Sequence, residues 1–192
     1  MSEHHHTETT DSPETVGTTR ERQDLLHTLR THRQLFKQTT AGMTDEQGNA
    51  RSTVSALTLG GLIKHVAETE DGWARFATDG PAALASGWDD VDWSQGPSAE
   101  AIAAYEAGFS MQEGETLDAL LAAYDEVAAR TDALVASIDL DAEHPLPAAP
   151  WFEPGARWSS RRVFMHIVAE TAQHAGHADI IRESIDGAKT MG

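Results

Sequence analysis

The sequence predicts an all-α protein, a four-helix bundle with long connections. Three observations carry this expectation: four long segments whose apolar residues recur at helical spacing, no convincing strand alternation, and no fixed-period repeat. A chain of 192 residues with 40% hydrophobic content can bury a sizeable core. The length of the connections predicts a topology other than a plain up-and-down meander, and supplies loops to roof a pocket.

Residues 1–18 are rich in Thr, Ser, Glu and His with almost nothing apolar, and are expected to form a disordered tail preceding a bundle domain over 19–192. His4, His5 and His6 lie in that tail and are set aside as a loose chelating triplet. From about Thr19 to Thr39, Leu25, Leu26, Leu29, Leu35 and Phe36 mark the first long helix. Thr58 is placed to cap a second, whose buried face is marked by Leu59, Leu62, Ile63, Val66, Trp73 and Phe76 and which ends at Gly80-Pro81. Glu68 and Glu70 on this helix read most simply as solvated. A loop to about Pro97 holds Trp88, Asp89, Asp90, Asp92 and Trp93.

Ser98 to Phe109 reads as a short helix, and Glu115 to Ile138 as a long one with Leu117, Leu120, Leu121, Tyr124, Val127, Leu134 and Val135 on its core stripe. Residues 139–157 hold four prolines with Trp151 and Phe152, a stiff aromatic loop that leads through Trp158 to a cap at Ser159 or Ser160. The last helix then runs to about Asp186 and stops at Gly187.

Composition limits partners more than it names one. The formal charge of −17, from 31 acidic against 14 basic residues, repels phosphate backbones and anionic membranes, so neither nucleic acid nor a membrane is expected as a partner. With no cysteine, disulfides, thiolate ligands and a cysteine nucleophile are excluded, and any thiol in the chemistry comes from outside. The absence of an apolar run of membrane-spanning length and of signal-peptide features makes the cytoplasm the expected compartment.

The last helix carries the chemistry. His166, Glu170, His174 and His177 fall on the stripe that also holds Val163, Ile167, Ile181 and Ile185, so the sequence predicts a polar cluster in the middle of the core-facing side. Ionisable groups so placed need pairing, hydrogen bonds or a metal. Residues three or four apart lie one turn above another, so Glu170 with His174 can grip one ion, as can His166 with Glu170 or His174 with His177. His65, on a neighbouring helix, can complete a two-histidine, one-carboxylate set. Three protein ligands leave positions open for substrate, and the imidazole–carboxylate mix suits a divalent Zn, Ni, Fe or Mn ion. The competing reading is a buried hydrogen-bonded His–Glu network without metal.

The strings Leu59-Gly60-Gly61-Leu62-Ile63-Lys64-His65-Val66 and His166 through Gly187 resemble the DinB/YfiT-like superfamily, in particular its actinobacterial mini-circle-protein-like branch. That resemblance implies a DinB/YfiT-type four-helix bundle with a divalent metal held by a histidine on the second helix and a pair four apart on the last. It therefore favours His65, Glu170 and His174 as the ligands, with His166 and His177 as supporting or substrate-facing groups. The Glu-x-x-x-His form of the pair is similar to that of mycothiol-dependent maleylpyruvate isomerase. The resemblance further implies a low-molecular-weight thiol cosubstrate and a small-molecule substrate, hence an S-transferase or isomerase, and is compatible with a homodimer. Trp151, Trp158 and Arg161 are the expected substrate-binding residues, with Arg157 and Arg162 also near the pocket mouth. A metal-dependent hydrolase using the same ligands, and a non-catalytic metal-binding, stress-associated protein, are the alternatives.

Overall fold

The computed structural model describes residues 19–84 and 96–190; the expected tail with its histidine triplet, and the loop carrying Trp88, Asp89, Asp90, Asp92 and Trp93, lie outside the described residues. Four long helices make the bundle: α1 (Arg20–Gln38), α3 (Leu59–Asp79), α5 (Leu117–Ser137) and α6 (Ser160–Asp186). Two short ones, α2 (Asp45–Gly48) and α4 (Ala99–Ala107), lie in the connections, and a 3-10 turn, Gly80–Leu84, extends α3. The boundaries follow side-chain caps. Thr19, Thr58, Ser98, Thr116 and Ser159 each accept a hydrogen bond from a backbone amide of the first turn, satisfying a donor that has no helical partner. Gly187, at φ +77°, ends α6 in the left-handed conformation that glycine adopts without strain.

α1 packs on α5 and α6, and α3 packs on the same two, so α1 stands across one diagonal from α3 and α5 across the other from α6, while α3 and α5 lie side by side. This is the departure from a meander that the long connections predict. The connection between α5 and α6 also forms structure that periodicity does not reveal: β1 (Glu143–Pro145) pairs antiparallel with β2 (Arg157–Ser159), placing His144 opposite Trp158. Strands of three residues are too short to carry an alternation signal.

The core is two apolar clusters with a polar layer between them. One gathers Phe36, Leu59, Leu62, Ile63, Val66, Tyr124, Val127 and Ile181; the other gathers Leu29, Trp73, Phe76, Val135, Val163, Phe164 and Ile167. Since the N-terminal half of α3 shares the first cluster with the C-terminal half of α6, these two helices run antiparallel. Between the clusters, every long helix contributes to a buried polar layer, through Arg33, Glu70, Thr131 and Thr171. Arg33 forks onto Glu70 across the bundle diagonal, with nitrogen–oxygen distances of 2.5 and 3.1 Å, and its third nitrogen reaches Asp132 at 2.8 Å. The two threonines close on carbonyls of their own helices. Glu70 is only 1% exposed, which corrects the expectation that it is solvated. It stands four residues after Val66 and three before Trp73, and so belongs to the apolar stripe of α3.

Burial makes this pair unforgiving, because removing one partner leaves an uncompensated charge in the core. Glu70→Ala should lower the unfolding free energy in urea by about 3 kcal/mol, the low end of the usual range because Asp132 still faces Arg33. Arg33→Met together with Glu70→Leu should recover most of that loss; a single-variant loss below ~1 kcal/mol would contradict the structural role.

Candidate metal centre

His65 on α3 and Glu170 and His174 on α6 converge at the helix–helix seam, and one ligand atom from each lies within 4.8 Å of the others. Antiparallel packing brings them to one level. The close approach of a loop fixes His65 from the other side: a Cβ on Gly61 would lie 1.9 Å from the Phe109 carbonyl, so only glycine lets this segment dock. Thr58 reinforces the docking through its amide and hydroxyl, both donated to the same carbonyl. The Phe109 ring consequently lies 4.9 Å from the His65 ring, which in turn meets His174 edge-on at 4.8 Å.

The cluster sits on the flank of the buried stripe and not, as expected from periodicity, at its middle. The centre of that stripe is Val163, Ile167, Thr171, Ala178 and Ile181, all buried, whereas the side chains of His166, Glu170 and His174 are 27%, 29% and 13% exposed. That partial exposure is what a site open to a ligand requires. A cleft of about 430 Å³ leads away from His65 along α3, lined by Glu68, Thr69, Gly72, Trp73, Arg75 and Leu84.

Glu170 is flanked on both sides. His166 Nε2 stands 3.6 Å from Oε1 and His174 Nε2 stands 3.7 Å from Oε2. The nearby His174 imidazole holds the Glu170 carboxyl below the usual range, against burial, and His166 and His65 act in the same sense. Burial lowers the pKa of His65, with His174 adding to the effect and Glu170 opposing it. A depressed carboxyl and a depressed imidazole are both in their metal-binding protonation states near neutral pH.

The donor set fits a first-row divalent ion. Its ligands lie ~2.0–2.2 Å away, so two of them stand at most about 4.4 Å apart, which small side-chain rotations from the present spread achieve. His177 completes the surroundings, its Nδ1 3.5 Å from Nδ1 of His174, on the side of that ring facing away from Glu170.

The other residues expected at the site divide. Trp158 stacks on Trp73 at 4.9 Å and meets His166 at 5.0 Å, so it stands in the wall of the site. Trp151 is 61% exposed and touches Phe152. Arg161 is nine residues from Glu170, half a turn round the helix, and its guanidinium is bound by Glu21 and Asp141, so it is not among the residues brought to the cluster. Trp73 and Phe109 were not singled out as site residues; Trp73 belongs to the buried stripe of α3, but its contact at 4.7 Å with His166 is a tertiary fact.

A family model described as Mycothiol-S-transferase matches residues 24–187. The chain belongs to this family. The match spans both α3 and α6, and with them all three residues of the cluster, and the family lies within the superfamily that the two helix strings resemble. No curated protein and no solved structure matches the chain. No helix among the described residues is long and apolar enough to cross a membrane.

The depressed imidazoles fix the sign of a pH effect on the chelator-treated protein. His65 and His166 have folded-state values below the ordinary 6.5, so the unfolded chain binds more protons there, and stability is lost as pH falls through 6.5 toward the folded values. Glu170, depressed from 4.5, contributes stability that is lost as pH falls below that value through its folded pKa. Urea unfolding at a series of pH values should therefore show wild type losing stability faster on acidification than His65→Gln with His166→Gln. Parallel curves would contradict the burial assigned to these rings.

Proposed function

We propose that the protein is a metal-dependent S-transferase in which His65, Glu170 and His174 hold one divalent ion and a low-molecular-weight thiol of the mycothiol type supplies the sulfur. The observation that carries this reading is the convergence of those three side chains in a cysteine-free chain of the mycothiol-S-transferase family. A divalent ion in such a site lowers the pKa of a coordinating thiol and so supplies a thiolate nucleophile near neutral pH.

The chain's own residues account for the rest. Two imidazoles and one carboxylate leave positions open, as catalytic sites do and closed structural sites do not. His177, against the far nitrogen of His174, orients that ring, and His166 steadies Glu170 from the opposite side while forming part of the aromatic wall. The cleft along α3, with Glu68, Thr69 and Arg75 on its walls, offers hydrogen-bonding groups to the polar body of a small thiol. In the transfer the sulfur forms a bond to an electrophilic carbon, the thiol proton passes to solvent, and the leaving group departs with its bonding pair. An isomerase would share the first bond-forming event.

Supplied with zinc, mycothiol and an activated aryl chloride, the protein should form the thioether, and His174→Ala should lose both the metal and the activity. His177→Ala should keep the reaction but weaken zinc binding by about 10–100-fold. Turnover of ester or amide substrates that persists without thiol would replace this reading with a hydrolase using the same ligands. Zinc that raises the melting temperature while mycothiol fails to bind would replace it with a non-catalytic metal protein.

A further inference from the structure

Arg162, His166, Glu170 and His174 follow one another at intervals of four residues and so form one stripe along α6. The last three belong to the centre; Arg162 is the member without an assigned role. Acidic residues outnumber basic ones by 31 to 14, so a surface arginine here meets a carboxylate by default. Among the described residues, every arginine except Arg51 and Arg162 is held by a carboxylate or donates to a backbone carbonyl.

Arg162 lies instead over the Trp158 ring, its guanidinium carbon 4.6 Å from the centroid. Trp158 is itself held in place, because it stacks on the buried Trp73 with an interplanar angle of 20°, and both indoles meet His166. A guanidinium stacked on an aromatic face keeps its N–H edges free, in the planar fork that matches a carboxylate. After burial, the Arg162 charge is a cause of the lowered His166 pKa, so its field reaches the centre.

We propose that Arg162, propped on Trp158, is the anion-binding residue for the acceptor, and that the electrophile receiving the sulfur carries a carboxylate or comparable oxyanion remote from its reacting carbon. This rests on the S-transferase reading of the centre. The separation follows from helix geometry: eight residues divide Arg162 from Glu170, a rise of about 12 Å, and arginine side chains lean toward the helix N-terminus. An acceptor whose charge adjoins its reacting carbon does not span that distance. The aromatic wall of Trp158 and Phe152, whose rings meet at 5.8 Å, suits a flat body between the two ends.

The test uses matched acids and esters. A dinitrobenzoate lacking a leaving group reports binding through quenching of tryptophan fluorescence, and its methyl ester differs only in charge. The metal-loaded wild type should bind the acid about tenfold more tightly than the ester, and Arg162→Gln should bring the two within about twofold by weakening the acid alone. Arg162→Lys should fall between, since it keeps the charge but loses the fork. With mycothiol as donor, chloride leaves the corresponding chlorodinitrobenzoate as the carbon–sulfur bond forms. Arg162→Gln should then raise KM for the acid with kcat kept and leave the ester unchanged. A wild type without acid preference, or a glutamine variant that retains it, overturns the proposal. An Arg162-dependent acid preference in a protein that transfers no sulfur to either acceptor supports the anion site and removes the S-transferase reading instead.

Discussion

All four long helices send polar side chains into the centre of the bundle, and the fork of Arg33 on Glu70 across the diagonal is the contact on which the remaining geometry depends. Apolar surface packs without direction, so two clusters of Leu, Ile, Val and Phe would tolerate a helix displaced along its axis. A bidentate ion pair with 2.5 and 3.1 Å contacts does not. A one-turn slip of α3 would carry the Glu70 carboxylate into hydrocarbon and leave Arg33 facing Asp132 alone. The layer therefore fixes the level at which α3 meets its neighbours.

The candidate metal centre uses that level. Thr171 is in the layer, and Glu170 precedes it by one residue while His174 follows it by three, so both candidate ligands of α6 stand beside the layer on the face turned toward α3. His65 lies five residues before Glu70, on the same rigid helix. Precision at the seam thus comes from the core and not from loops, with one addition: Phe109, carried on a segment that Gly61 admits, closes His65 from outside. The division of labour is physical. Buried charges hold position because desolvation makes their loss severe, while the partly exposed imidazoles and carboxylate of the centre stay open to a ligand.

The helices were legible because their signals are local. Thr58, Ser159 and Gly187 are end markers that act within four residues, and the observed ends of α3 and α6 coincide with them. The cluster His65, Glu170 and His174 was legible for a related reason, since four-residue spacing fixes two of its members on one face and the resemblance of two helix strings supplies the third. What escaped was the placement of polar groups by tertiary packing. Arg33 and Glu70 occupy stripe positions, between Leu29 and Phe36 and between Val66 and Trp73, but residue type argued for solvent and their complementarity spans two helices far apart in sequence. The same limit put the histidine cluster at the middle of the buried stripe, when α3 packs so as to leave it on the flank. Arg161 and Arg162 are neighbours in sequence, and the expectation of substrate binding fell on Arg161; packing commits that residue to Glu21 and Asp141 and raises Arg162 on Trp158.

The proposed chemistry requires one ion held jointly by two helices. An anomalous-scattering map from crystals grown with zinc addresses this directly. It should show a peak ~2.0–2.2 Å from a nitrogen of His65, a nitrogen of His174 and an oxygen of Glu170. A peak held by His174 and His177 without His65, or by the histidine triplet at the N-terminus alone, would contradict it.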